Sequence, residues 1–295
     1  MSQATKQAGA DLAPALAEMR WRAALRVRRL NGIGVAAAFV AAVLWSAWIA
    51  EVDIARLLDG LPKALDYIGR TIPTLRWATL YADLTHWLWA LDIWLGMLAD
   101  TVLVAYTGTV LGALAALLLS FPPAVGLAPR GVAIAARRAL ELARTVPTLV
   151  YALIFVYAFG LGPFAGMLAI AVHTAGALGK QFAEIHENAD PALTEGIRAA
   201  GGTWTHQMRY GVLPQSLPGV FSYGLLRFEI NVREASVLGL VGAGGIGEEL
   251  YMAVRQFEYP DISAIVMLIL LTVALIDQLC GWLRHRIIGT VSANP

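Results

Sequence analysis

The stretch VGAGGIGEEL, residues 241–250, decides between two folds. Gly242, Gly244 and Gly247 spell G-x-G-x-x-G, the spacing with which a strand–turn–helix cradles the pyrophosphate of a dinucleotide. The apolar run SVLGLV precedes it and EELYMAV follows it. Asp261 stands about 20 residues on, where such a site places its ribose-binding acid. A βαβ domain needs room on both sides, however. Only residues 248–295 remain after the last glycine, and much of that length is the apolar run 261–283. The surroundings therefore have to say what the glycines are for.

Those surroundings are apolar. Of 295 residues, 58% are hydrophobic and 15% charged, with a mean hydropathy of +0.63. Soluble domains carry about 25% charged residues. An all-α integral membrane protein is expected. The net charge of +1 gives no basis for a nucleic-acid partner. Cys280 is the sole cysteine and excludes internal disulfides. The first apolar stretch starts near residue 31, after an Arg-rich lead, which is late for a cleaved signal peptide.

A helix crosses a bilayer core of roughly 30 Å with about 20 mostly apolar residues. Six spans are expected: 31–50, 97–120, 135–160, 163–182, 212–235 and 261–283. No Asp, Glu, Lys or Arg occurs from Thr145 to Gly179, and GLGP at 160–163 is the turn that divides this run. Starting the third span near 135 takes in Glu141 and Arg144, which share a helix face and can pair. Six crossings place Lys6, Arg20, Arg22, Arg26, Arg28, Arg29, Arg130, Arg137, Arg138, Lys180, Arg198, Arg209, Arg284 and Arg286 on one side. By the positive-inside rule that side is the cytoplasm, and both termini lie in it.

The segments outside the spans have their own patterns. Residues 1–30 read as a cytoplasmic, basic, amphipathic segment whose arginines suit anionic lipids; simple topology signalling explains them equally well. In 51–94, Leu57, Leu58, Leu61, Leu65 and Ile68 recur at helical spacing. With Trp77, Trp87, Trp89 and Trp94 they predict external helices lying on the membrane surface. Residues 95–285 form the core and 286–295 a cytoplasmic tail.

The segment ADPALTEGIRAAGGTWTHQMRYGVLPQSLPGV, 189–220, falls on the cytoplasmic side between spans four and five. It reads as helix, turn at Gly201 and Gly202, second helix capped by Thr203, then Pro214 and Pro218. Glu195, Gly201 six residues on, and Leu213–Pro214 resemble the cytoplasmic signature of permease subunits of ABC importers. In that family the loop forms the coupling helix that sits in a groove of an ATPase subunit, a helix-in-groove contact. The resemblance implies a type I importer permease fold, a coupling loop over 186–212, and Glu195, Ala199, Ala200, Gly201, Leu213 and Pro214 as coupling residues. Two departures stand out. Gly196 and Ile197 replace the pattern's paired alanines, and Gly211 replaces an apolar residue.

GLGPFAGMLAIAVHTAGALGKQFAE at 160–184 and RFEINVREASVLGLVGAGGIG at 227–247 are similar to the permease of bacterial phosphonate transporters. With the loop they cover most of 95–285. The resemblance implies a multi-pass subunit of the bacterial cytoplasmic membrane and a homodimer of permeases. It also implies two cytoplasmic ATPase subunits and an external binding lipoprotein or periplasmic protein. Phosphonate, phosphite or phosphate is the expected cargo, and another small solute the alternative. The chain itself has no P-loop: GALGKQ at 176–181 has the wrong spacing and lacks the hydroxyl. No cofactor is expected in this chain, and ATP and Mg belong to the partner ATPase. No enzymatic activity is expected either.

Span five carries Arg227, Glu229, Arg233 and Glu234, and each ionised group at a span centre costs about 2.5–3.5 kcal/mol. At helical spacing Arg227, Asn231 and Glu234 share one face, while Glu229 and Arg233 pair on another. One reading has a face line the path of an anion, with His173 of span four as a further pathway residue. The other has an ion-pair lattice, and a packed His173, that only hold helices together. Thr101, Tyr106 and Thr107 are further interior candidates. No metal-ligand spacing occurs. An ion-coupled secondary transporter would show inverted repeats, and none is visible. In this topology Gly242, Gly244, Gly245 and Gly247 fall outside, as part of an external gate, with Glu248 and Glu249 opening a short helix.

Overall fold

A computed structural model describes residues 3–124 and 129–292. The side chains of Lys6, Arg20 and Arg22, residues 125–128 of the loop after span two, and residues 293–295 of the tail lie outside the description. Among the described residues every regular element is helical. The chain divides into two compact units, Met1–Tyr67 and Ile68–Pro295.

The first unit holds α1 (Gln3–Ile49) and most of α2 (Ile54–Thr71). The 22 residues Arg28–Ile49 are apolar enough to cross a membrane. Their large side chains, among them Phe39, Leu44, Trp45 and Trp48, are exposed. Asp53 starts α2 by accepting the backbone N–H groups of Ala55 and Arg56 at 2.9 and 3.1 Å, which satisfies two donors that a helix start leaves open. Leu57, Leu58, Leu61, Leu65 and Ile68 are exposed along one stripe of α2, as the spacing predicts.

In the second unit, α3 (Leu80–Trp87) leads to α4 (Leu91–Ala124), α5 (Arg130–Thr145), α6 (Thr148–Phe159) and α7 (Pro163–Glu187). After α7 come α8 (Pro191–Ala199), the short α9 (Trp204–His206), α10 (Leu213–Leu238), α11 (Ile246–Gln256) and α12 (Tyr259–Ser292). α7 is the hub, and its small residues allow that. A Cβ on Gly108 or Gly112 of α4 would fall 2.8 Å from Ile170 or 2.6 Å from the Ala171 carbonyl. Gly176 meets the α5 backbone at Arg144 and Leu140, closer than any side chain permits. Such approach of helix backbones is how membrane helices gain packing energy without water to drive them together.

Among the described residues three helices are long and apolar enough to span: Arg28–Ile49, Leu91–Pro122 and Tyr259–Ile287. Two pairs qualify jointly, α5 with α6, bent by 89°, and Trp204–Val241 with α11, bent by 49°. The stretch 135–160, expected as one span, is therefore a broken one. Val146 is extended because it precedes Pro147, which has no N–H for the helix ladder. α7, expected as the span 163–182, has the length, 25 residues, but His173, Thr174 and Lys180 lower its apolarity.

Two local expectations change. Glu141 pairs with Arg138 at 2.6 Å, one turn back, rather than with Arg144. Trp94 is 1% exposed, packed with Leu98, Ile246, Ile262 and Ile265, not at a boundary. Trp87 Nε1 donates to Ser263 Oγ at 2.9 Å and Trp89 Nε1 to Asp261 Oδ1 at 3.2 Å, so both tie residues 87–89 to the start of α12. Trp77, 94% exposed, is left free for a boundary role.

Candidate functional site

Three groups of residues named from the sequence lie along a single rod, α10, at its start, its middle and its end.

At the start is the hairpin. Asp190 caps α8 by accepting from the Ala192 N–H at 2.9 Å, with Pro191 in the first turn. α8 ends as the paired glycines predict. Gly201 has φ +80°, its N–H reaches the Arg198 carbonyl at 2.9 Å, and the Gly202 N–H reaches the Ile197 carbonyl at 2.9 Å, the double closure of a Schellman motif. Thr203 begins the return arm, its N–H donated to His206 Nδ1 at 3.3 Å. Two glutamines brace the base. Gln215 Oε1 accepts from the Asp190 N–H at 2.9 Å and its Nε2 donates to the Gly211 carbonyl at 2.7 Å. Buried Gln207 donates to the Gly202 carbonyl at 3.3 Å.

The return arm is not a separate helix. It continues as a π turn, Gln207–Val212, straight into α10. Pro214 has no N–H to offer the preceding turn, and the Leu213 N–H bonds five residues back, to Met208. Gly211, the departure from the family pattern, has a physical reason. A Cβ there would stand 2.9 Å from Thr194 Cγ2 and 3.4 Å from Ile197. Glycine lets α8 rest on the π turn. Glu195, Gly196, Ala199, Ala200 and Gly201 are all exposed on the outer side of this brace, and Pro214 is exposed at its base.

In the middle, the charges divide as the spacing predicts. Arg233 Nη2 meets Glu229 Oε1 at 2.7 Å, and Arg284 of α12 meets the same carboxylate at 3.4 Å. That group joins α10 to α12. On the other face Arg227 Nη2 lies 2.6 Å from His173 Nδ1 and 3.5 Å from Glu234 Oε1, and the Thr148 hydroxyl donates to Glu234 Oε2 at 2.7 Å. A guanidinium only donates, so Nδ1 accepts and the proton of neutral His173 sits on Nε2. Asn231 is fully buried, donating to the hydroxyls of Thr109 and Thr174 at 2.7 and 2.9 Å. It packs the interior rather than facing a path with Arg227. An open cleft of ≈ 430 Å³ lies beside this face, lined by Pro147, Thr148, Leu149, His173, Arg233, Glu234, Val237 and Leu238.

Thr148, Thr109 and Thr174 were not anticipated. Thr109, not the exposed Thr107 or Tyr106, turns inward from α4. Its adjacency to Gly108 on the face that packs against α7 was the available signal. Lys180 pairs with Glu184 at 3.5 Å on an exposed turn.

At the end of α10 a single 3₁₀ turn, Gly239–Val241, leads into the glycine cluster. A helix stands before the glycines where a dinucleotide site needs a strand. Gly242, Gly244 and Gly245 have φ of +79°, +78° and +82°. The loop folds back on the GLGP turn, the Gly162 N–H donating to the Gly242 carbonyl at 2.9 Å. Thr101 of α4 accepts the Ile246 N–H at 3.0 Å. Glu248 and Glu249 fall in the first turn of α11.

The chain matches the family model of the binding-protein-dependent transport system inner membrane component over residues 108–289. It is 35% identical over 260 residues to a phosphite transport system permease protein of Stutzerimonas stutzeri, covering 88% of this chain and 90% of the relative. A phosphate-import permease protein of Mycolicibacterium smegmatis is 38% identical over 196 residues, 64% of this chain and 36% of its own. A permease assigned to a cryptic phosphonate transport system of Escherichia coli K12 is 48% identical over 122 residues, 41% of this chain and 100% of its own. Among solved structures, an inward-facing methionine ABC transporter superposes with a TM-score of 0.58 at 18% identity, covering 67% of this chain and 97% of that one. A bacterial alginate ABC transporter gives 0.57 at 14% identity, with 84% and 99% covered.

Proposed function

Because the chain belongs to the family of inner membrane components of binding-protein-dependent transport systems, we propose that it is the permease of an ATP-driven importer for phosphite, phosphonate or phosphate. The observation that carries the reading is the braced hairpin 190–212, which runs without a break into α10. A helix of 26 residues extends about 39 Å. Displacement of its cytoplasmic end is felt at its outer end, where the glycine loop is packed on α4 and α7.

In this reading Glu195, Ala199, Ala200, Gly201, Leu213 and Pro214 form or support the surface that docks on a cytoplasmic ATPase subunit, which holds ATP and Mg. Two permease copies and two ATPase subunits make the working unit. An external binding protein delivers the anion at the loop of Gly242, Gly244, Gly245 and Gly247, which acts as the outer gate. Both termini lie in the cytoplasm. The relatives' names support the oxyanion cargo, and the exposure of the hairpin supports the docking role.

The test is uptake of labelled phosphite, methylphosphonate and phosphate by the reconstituted complex with its own ATPase and binding protein. Glu195→Arg and Gly201→Asp should leave the permease in the membrane at normal level. Both should lower ATP-driven uptake by about tenfold or more. Wild-type uptake by both variants would remove the docking assignment. Reaction of cysteines at Gly244 or Ile246 only from the cytoplasmic side would remove the gate and the topology together.

A further inference from the structure

The ion pairs of α10 are unequally exposed, and the inequality points at the cleft. Glu229 is shared: Arg233 holds one oxygen at 2.7 Å and Arg284 the other at 3.4 Å. Asp277, also beside Glu229, brings the group to two carboxylates and two guanidinium groups. Arg233 is also the exposed partner, its side chain 53% accessible against 10% for Glu229 and 31% for Arg284. Of these four, Arg233 alone lines the cleft, so the group turns its positive end toward it.

Opposite stands the one acid of the lining, Glu234, and it is held from behind. Arg227, 11% exposed and not itself a lining residue, faces one of its oxygens, and Thr148 donates to the other. Both contacts of Arg227 converge on Nη2, while its Nε has no partner among the described residues. The guanidinium orients two cleft residues at once. It offsets Glu234, and it takes His173 Nδ1, leaving Nε2–H as the donor that His173 can offer. Leu238 also lines the cleft, and its carbonyl accepts the Ala243 N–H at 3.3 Å, so the cleft lies directly inside the outer glycine loop.

We propose that this cleft is a transit site for a small oxyanion, with Arg233 meeting the anion, His173 as second donor, and Arg227 as the positioning residue that offsets Glu234. This rests on the importer reading. A site of ≈ 430 Å³ with one exposed guanidinium holds a small tetrahedral anion loosely, as a group that must also release its cargo has to.

The experiment uses the reconstituted complex with its ATPase and loaded binding protein. It measures phosphite, phosphate and methylphosphonate uptake beside binding-protein-stimulated ATP hydrolysis. Arg233→Gln should lower uptake of whichever anion the wild type carries by about tenfold, with stimulated hydrolysis kept within about twofold. Arg233→Lys should retain an intermediate rate, because charge remains and the fork is lost. The charge swap Arg227→Glu with Glu234→Arg should assemble yet fail to restore uptake. Uptake by Arg233→Gln within about twofold of wild type, or full rescue by the swap, overturns the cleft while leaving the importer reading intact. Wild-type import of a neutral or cationic solute instead overturns both.

Discussion

α10 has glycines beyond each of its ends, and the two ends use them for different reasons. On the hairpin side, Gly201 supplies a left-handed φ and has nothing within 4 Å of where its Cβ would be. The chain turns there in open space, and the outer residues of the hairpin stay exposed. At the other end the glycine loop is packed solid. Gly239 and Gly247 lie back to back, a Cβ on Gly239 standing 2.6 Å from the Glu248 nitrogen. A Cβ on Gly247 would fall well inside van der Waals contact distance of the Ser236 carbonyl oxygen, and one on Gly245 inside that of Thr101 Oγ1. One end is left open to solvent. The other is built to hold its own backbone together.

The largest effect should therefore come from the glycine-loop end. Gly247→Ala drives a methyl into a backbone carbonyl that cannot rotate away, and overpacking of this kind costs about 1–3 kcal/mol or more. Loss of the monodisperse complex in detergent, with a much lower unfolding temperature, is the expected result. Wild-type stability would break the contrast between the two ends.

Next comes Gly211→Leu, which restores an apolar residue to the family position. Here it should weaken the hairpin, because Thr194 Cγ2 occupies the space. The expected loss is about 1–3 kcal/mol confined to 190–212, seen as faster amide exchange in α8 with the spans unaffected. Thr194→Ala together with Gly211→Ala should recover most of what Gly211→Ala loses alone, since the clashing methyl is gone.

These contrasts show which parts of the molecule a sequence can express. Spans, the Gly–Gly closure and the (i, i+4) pair of Glu229 and Arg233 are local, set by residues within a turn or two of each other. Thr148 with Glu234 and Asn231 with Thr109 are separated by 86 and 122 positions. Only the packing of α4, α6 and α7 on α10 brings them together. Pro147 announces a break in 135–160 but not a bend of 89°. Gly211 looked like a weak match to a pattern, and its purpose became visible only with Thr194 beside it. Trp94 shares its composition with boundary tryptophans and differs from them only in what covers it.

A smaller effect is expected at Gly201 itself. Gly201→Ala meets no neighbour and pays only for the left-handed backbone, about 1–2 kcal/mol. Gly201→Asn should cost less, because Asn tolerates that region. Amide exchange in α8 should rank wild type slowest, then Asn, then Ala.

The smallest effect should be opposite in sign. Gly196 sits inside α8, is exposed, and has nothing within 4 Å of its absent Cβ. No turn, close approach or positive φ requires glycine there. Gly196→Ala should stabilise α8 by about 0.8–1 kcal/mol, the helix-propensity difference, slowing its amide exchange about four- to fivefold. Uptake then reports what the glycine is for. Unchanged uptake makes Gly196 a neutral departure from the family's alanine. Slower uptake with a firmer helix would mean that the hairpin has to yield when the ATPase moves it. The exposed end of α10 would then differ from the packed end in compliance as well as in contact.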